Sequence, residues 1–222
     1  TFTVTPTTDG TVTVQIPANK AQDSAGNGNT VSNELSITYD ASPPDTTLTS
    51  TPNDPSNSST ATFTFSSPDS TATFECQLDD GSWSACSSPK TYPGLSDRNH
   101  TFKVRAVDPT GNKDPFPEEY TWTITTSYPT VNLTTSAPNP TNSTFTVTAT
   151  FSKSVSGLAE GEITVTNGAA SSLSGSGTTY TFTVTPTTDG TVTVQIPANK
   201  AQDSAGNGNT VSNELSITYD AS

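Results

Sequence analysis

The chain has 222 residues, of which 29% are hydrophobic and about a third are Ser or Thr. Its net charge is −13 with only eight Lys and Arg, which excludes nucleic acid as a partner because a phosphate backbone binds a cationic surface. The sequence has no apolar run long enough to cross a bilayer, so we expect no membrane insertion in this segment. The abundance of β-branched Thr favours thin β-sheet cores.

Residues 1–42 read TFTVTPTTDGTVTVQIPANKAQDSAGNGNTVSNELSITYDAS. Apolar and polar residues alternate in three runs, which is typical of strands that bury one face. The apolar positions are Phe2, Val4, Val12, Val14, Ile16, Leu35, Ile37 and Tyr39. We therefore predict that this segment is the C-terminal half of an immunoglobulin-like sandwich.

Residues 43–127 form a second predicted unit, which follows the proline-rich joint at Ser42-Pro43-Pro44. Alternation at 60–66 and 100–107 predicts strands, and turn-forming Pro, Gly, Asn and Asp clusters separate them. Short strands at this spacing, with no helical period, predict an all-β fold of tandem sandwiches arranged end to end.

The only two cysteines, Cys76 and Cys86, lie in FECQLDDGSWSAC within this second unit. The stretch Asp79-Asp80-Gly81 between them carries an Asp-Gly signal and predicts a β-hairpin that brings the thiols together. We expect a disulfide and hence an oxidising compartment, the alternative being a reduced pair of small core residues.

Residues 128–222 form the third predicted unit, with a clear strand at 144–151. Its last 42 residues, 181–222, are identical to 1–42, an offset of 180 residues. We call residues 1–42 the first copy, residues 181–222 the second copy and residues 129–180 the front half. Since the first copy has no front half before it, we expect a partner outside these residues to complete it, and a 180-residue period in a longer polypeptide to supply that partner.

The third unit resembles the bacterial Ig-like domains that are repeated in giant cell-surface proteins. The resemblance is carried by FSKSVSGLAEGEITVTNG, GSGTTYTFTVTPTTDGTVTVQIP and AQDSAGNGNTVSN. Residues 43–127 are similar to another prokaryotic Ig-like module, which often carries such a Cys pair. The resemblance implies an extracellular or cell-surface, prokaryotic protein of stalk, fibre or adhesin architecture, with no catalytic residues and no required cofactor.

A D-x-x-G-N pattern occurs at 23–27, 108–112 and 203–207. Asp and Asn at such positions form turns, because Asp accepts backbone N–H bonds and Gly supplies a positive φ. The alternative is a calcium site, since these oxygens suit a hard cation and Asp40 and Asp45 lie at the adjoining joint. The candidate ligands are Asp23, Asn27, Asp108, Asn112, Asp203 and Asn207.

We expect a structural repeat unit that builds a filament, stalk or surface fibre by repetition and contacts with itself. The alternative is a ligand- or glycan-binding adhesin module, in which an exposed aromatic such as Trp83 stacks on sugars at the cell surface. For Trp83, Trp122 and the single histidine, His100, we expect packing roles. The sequence has no nucleophile motif, so we do not expect an enzyme.

Overall fold

The computed structural model describes all 222 residues, and the fold is built from short strands with a single turn of 3-10 helix and no α-helix. The all-β prediction is confirmed. The strands are β1 (Gly10–Val14), β2 (Leu35–Tyr39), β3 (Thr47–Ser50), β4 (Ala61–Ser66), β5 (Thr73–Leu78), β6 (Ser84–Cys86), β7 (Lys90–Tyr92), β8 (Asn99–Val107), β9 (Glu118–Thr123), β10 (Val131–Thr134), β11 (Phe145–Val155), β12 (Thr164–Thr166), β13 (Gly168–Pro186), β14 (Gly190–Gln195) and β15 (Leu215–Tyr219), with the 3-10 turn at Glu160–Glu162. No helix in the chain is long and apolar enough to span a membrane.

The contacts divide the chain into two compact units. The first contains Thr1–Ser50, Phe63–Lys90 and Thr101–Tyr120, and the second contains Thr51–Thr62, Thr91–His100 and Thr121–Ser222. The domain boundaries expected after residues 42 and 127 stay predictions.

In the first unit, the first copy forms a two-stranded antiparallel sheet from β1 and β2, in which Gly10 pairs with Tyr39 and Val14 with Leu35. The strand predicted around Phe2 and Val4 was wrong for this copy, because those residues form no ladder. A strand needs a neighbour to pair with its backbone groups, and no strand lies beside residues 1–6.

Aromatic packing forms the core of the first unit. Phe63 on β4 stacks on Phe102 on β8, with ring centroids 4.0 Å apart. Phe65 meets the edge of Phe74 on β5 at 4.9 Å. Phe63, Phe65 and Phe102 are all buried, so the strands predicted at 60–66 and 100–107 are confirmed.

The predicted disulfide joins Cys76 on β5 to Cys86 on β6, with Cα atoms 5.8 Å apart. Cys76 pairs with Ser84 and Cys86 with Phe74, so the bridge runs diagonally across the ladder. Asp79 and Asp80 have φ values of 50° and 57°, the left-handed values that a type I′ turn requires. The hairpin therefore turns on Asp79 and Asp80, within the stretch predicted for the turn.

In the second unit, two three-stranded sheets, β10-β11-β13 and β12-β14-β15, enclose one core. The strand predicted at 144–151 is β11, and the C-terminal part of β13 pairs with it, Phe145 opposite Val184 and Val147 opposite Phe182. Strand β14 lies between β12 and β15. The buried side chains are Val131, Leu133, Phe145, Val147, Ala149, Phe151, Val155, Ile163, Tyr180, Phe182, Val184, Val192, Val194, Ile196, Ala201 and Ile217.

Candidate functional site

The chain contains no cluster of three or more His, Cys, Asp or Glu side chains arranged to hold a metal ion. His100 is buried, its Nε2 lies 2.9 Å from the Ser96 carbonyl, and its ring centroid is 5.5 Å from that of Trp122. Trp122 is itself a core residue. The packing roles predicted for both side chains are confirmed.

Trp83 is partly exposed, and a cation lies on its ring. The Arg105 guanidinium carbon is 4.2 Å from the ring centroid, and Arg105 Nη2 is 2.8 Å from Glu75. Lys113 Nζ donates to both carboxylate oxygens of Glu75, each at 2.9 Å. The Lys113 hydrogen bond, together with Arg105, holds the pKa of Glu75 below its ordinary value. The exposed aromatic therefore belongs to a charged surface cluster.

The three D-x-x-G-N loops fold in the same way. In each, the Asp carboxylate accepts the backbone N–H groups two and four residues ahead, at 2.8 to 3.0 Å. The Asn side-chain amide donates to the same carboxylate. The glycine of each loop has a φ of 84–95°, a conformation that other residues rarely adopt. The turn chemistry expected from the sequence is thus present in all three.

The loops differ in how buried the carboxylate is. Burial raises the pKa of Asp203, but hydrogen bonds from Asn207 and from Lys153 lower it by more, so the net pKa lies below its ordinary value. The pKa of Asp108 is also lowered, since bonds from Asn112 and Thr110 outweigh its burial. The pKa of Asp23, in an exposed loop, is lowered chiefly by the Asn27 side chain.

Two of the three asparagines also contact a distant backbone carbonyl. In the second unit, Asn207 Nδ2 donates to the Thr125 carbonyl at 2.8 Å, just beyond the end of β9. In the first unit, Asn112 Nδ2 donates to the Asp40 carbonyl at 3.1 Å, just beyond the end of β2. Both acceptors lie in a segment that leads into the sandwich carrying the loop. The sequence showed the recurring loop but not its acceptor, because 72 to 82 residues separate the partners.

The segment around Thr125 is held at almost every polar group. The Thr125 N–H donates to the Ser56 carbonyl, and the Asp97 carboxylate accepts both the N–H and the hydroxyl of Thr126. The Lys153 ammonium donates to the Thr125 hydroxyl at 3.1 Å, to the Ser127 carbonyl at 2.5 Å and to Asp203 at 3.4 Å. Lys153 thus joins residues 125–127, which we call the connecting segment, to the D-x-x-G-N loop at 203–207.

The second candidate surface is the apolar face of the first copy. Phe2 is 66% exposed and Ile37 is 63% exposed, whereas the identical residues of the second copy, Phe182 and Ile217, are 1% and 5% exposed. Val4 and Ile16 are likewise exposed where their counterparts are fully buried. In the second copy these residues share one core with front-half side chains such as Val147 and Phe151, and β11 pairs with the strand that carries Phe182. The first copy therefore presents an apolar surface that, in the second copy, is buried in a core shared with the front half.

The second copy is also bound to the front half through polar groups. Asn213 accepts the Leu133 N–H at 2.7 Å and donates to the Leu133 carbonyl at 3.1 Å. The backbone of Gln202 exchanges two hydrogen bonds with that of Ser156, and the Thr218 carbonyl accepts the Thr141 N–H. The front half is therefore aligned on the second copy by specific backbone hydrogen bonds as well as by the packing of apolar side chains.

Residues 125–219 match the family model described as a bacterial Ig-like domain. The resemblance expected for the third unit is thereby confirmed for this part of the chain. No curated protein matches the chain.

Many solved structures resemble the chain, and two of them come from large adhesion proteins. One, described as structural insight into host cell surface retention of a 1.5-MDa bacterial ice-binding adhesin, is 16% identical with a TM-score of 0.42, over 81% of this chain and 65% of that one. The other, a tetra-tandem repeat in the extending region of a large adhesion protein, is 19% identical with a TM-score of 0.32, over 96% of this chain and 57% of that one. The chain thus spans less than two thirds of either structure.

Proposed function

We propose that the chain is a structural repeat of a long extracellular stalk or surface fibre, in which each 180-residue period completes a sandwich with its neighbour. The observation that carries this proposal is the contrast between the copies: one sequence buries its apolar face against a front half and exposes that face where none is present. A surface of this kind is costly in water, at roughly 1.5 to 3 kcal/mol for each large side chain. The natural setting of the repeat would cover it.

The rest of the molecule fits a mechanical role better than a chemical one. The disulfide suits an oxidising, extracellular location. The only histidine and one of the two tryptophans are core residues, and the other tryptophan carries Arg105 on its ring. The partners that this architecture calls for are further copies of the same repeat, and reach would grow with copy number.

The stalk proposal is tested by measuring how the length of the particle depends on the number of repeats. Chains of one, two and four 180-residue periods would be imaged by negative-stain electron microscopy. A stalk repeat adds a constant length of roughly 80 Å per period. This estimate assumes two sandwiches per period, placed end to end, each with about 30 Å of strand plus its loops. Particles whose longest dimension does not grow with the number of periods would refute the stalk function.

A further inference from the structure

The asparagine of each D-x-x-G-N loop donates one amide hydrogen to the carboxylate of its loop and has a second amide hydrogen to donate. One N–H of Asn207 reaches the Asp203 carboxylate and the other reaches the Thr125 carbonyl. Asn112 Nδ2 likewise donates to Asp108 and to the Asp40 carbonyl, and it also lies within hydrogen-bond distance of the Thr110 hydroxyl in its own loop. The two loops differ at the second and third positions, Pro109-Thr110 against Ser204-Ala205. The shared contact therefore follows from the Asp, Gly and Asn.

The loop of the first copy has the same internal bonds but not the carbonyl. Asn27 Nδ2 donates to Asp23 at 2.9 Å and to no backbone carbonyl. The Asp23 carboxylate also lacks the ammonium group that Lys153 supplies to Asp203. Both missing partners, Thr125 and Lys153, lie within 56 consecutive residues, 125–180, that precede the second copy. The loop at 23–27 is therefore matched in shape and in charge to a second copy of those residues.

We propose that the D-x-x-G-N asparagine is a clamp that fixes the connecting segment entering its sandwich. On this basis the loop at 23–27 is a docking site for residues 125–127 of a second copy of the repeat, whose Lys153 pairs with Asp23. The clamp is the contact that would join successive repeats, so this inference rests on the proposed function. Its physical role is to order the connection without a bound ion, because the amide and the ammonium occupy the carbonyls and the carboxylate.

The first test uses the identical loops as a matched pair in the 222-residue chain. Asn207→Ala and Asn27→Ala remove the same bonds within the loop, but only Asn207→Ala removes a carbonyl contact. Hydrogen exchange of the Thr125 and Thr126 amides, read by mass spectrometry, reports on the connecting segment itself. We expect exchange about five- to tenfold faster in Asn207→Ala, the effect of losing one hydrogen bond, and unchanged exchange in Asn27→Ala. Equal exchange in both variants would overturn the clamp.

A second variant, Lys153→Met, keeps the apolar stem and removes the ammonium. It should also accelerate exchange of Thr126, whereas Lys200→Met, on a cation that binds Glu162 at 3.7 Å instead, should not. If Lys153→Met left exchange unchanged, the lysine would have no part in the clamp.

The docking site is tested in a longer chain, with residues 43–180 placed ahead of Thr1. A Thr130→Ser change in the added segment marks its peptides by mass. Asn27→Ala should now accelerate exchange of the added Thr125 and Thr126, although it has no effect in the shorter chain. If β2 gains protection but Asn27→Ala changes nothing, the clamp fails and the repeat proposal stands. If β2 gains no protection, the repeat proposal itself fails.

Discussion

The first and second copies show what 42 identical residues encode by themselves. In both, the hairpin has the same register, Gly10 with Tyr39 and Gly190 with Tyr219. Asn19 and its counterpart Asn199 share a φ of 61°, and their loops close with the same 2.9 Å backbone bond. The second copy also has a strand at its first six residues and a buried apolar face, and the first copy, which has no front half against it, has neither. The 42 residues therefore determine their own hairpin and loop geometry, whereas the front half determines whether their apolar side chains are buried.

The largest difference between the copies should appear on truncating the aromatic that each places on its apolar face. Phe182→Ala should lower the free energy of unfolding of the C-terminal sandwich by about 3–5 kcal/mol, because it leaves a cavity in a packed core. Phe2→Ala should change the free energy of unfolding by less than about 0.5 kcal/mol, because the side chain of Phe2 is exposed. Urea denaturation followed by circular dichroism measures both. Similar losses in the two variants would mean that the first copy is already packed in solution.

A smaller difference should come from the asparagine that joins the second copy to β10. Asn213→Ala leaves the Leu133 N–H and carbonyl without partners and should cost about 1–3 kcal/mol. Asn33→Ala, the same change in the first copy, has no such contact to remove and serves as the control. The comparison is made by thermal unfolding of the two variants. A loss in Asn33→Ala as large as that in Asn213→Ala would contradict the assignment.

The pH dependence should also separate the copies. The folded pKa of Asp203 is lowered, so its contribution is complete above its unfolded pKa of about 3.9 and is lost as the pH falls through the lower folded value. The midpoint of thermal unfolding of the C-terminal sandwich should therefore fall between pH 5 and pH 2, and Asp203→Asn should make that fall shallower. Asp23→Asn should leave the curve of this sandwich unchanged. A curve unaffected by Asp203→Asn would show that the loop carboxylate does not contribute.

The smallest expected effect is that of calcium. Because Asp203 already accepts bonds from Asn207 and from the Lys153 ammonium, we expect about 10 mM CaCl₂ to leave the unfolding temperature unchanged to within about 1 °C. Differential scanning calorimetry with and without EDTA makes the measurement. A saturable rise in the unfolding temperature that disappears in Asp203→Asn would instead establish a calcium site at this loop.

The parts of the fold that follow from local patterns could be predicted from the sequence. Alternation located β4, β8 and β11 with their buried Phe63, Phe102 and Phe145, and the Asp-Gly turn signal between the cysteines located the disulfide. The strand at Phe2 was predicted wrongly because alternation shows which face a strand would bury, not whether a neighbour is present to pair with it. The carbonyl partners of Asn112 and Asn207 could not be predicted, since they depend on tertiary placement of a segment that carries no pattern of its own.

Hydrogen exchange of β2 tests most directly whether the first copy is half of a sandwich that a preceding repeat completes. A Ser36→Thr change, at an exposed position, distinguishes its peptides by mass from those of β15. In the 222-residue chain, the amides of Leu35–Tyr39 should exchange far faster than those of Leu215–Tyr219. With residues 43–180 placed ahead of Thr1, the two strands should become equally protected. Exchange at Leu35–Tyr39 that stays fast in the longer chain would contradict the account.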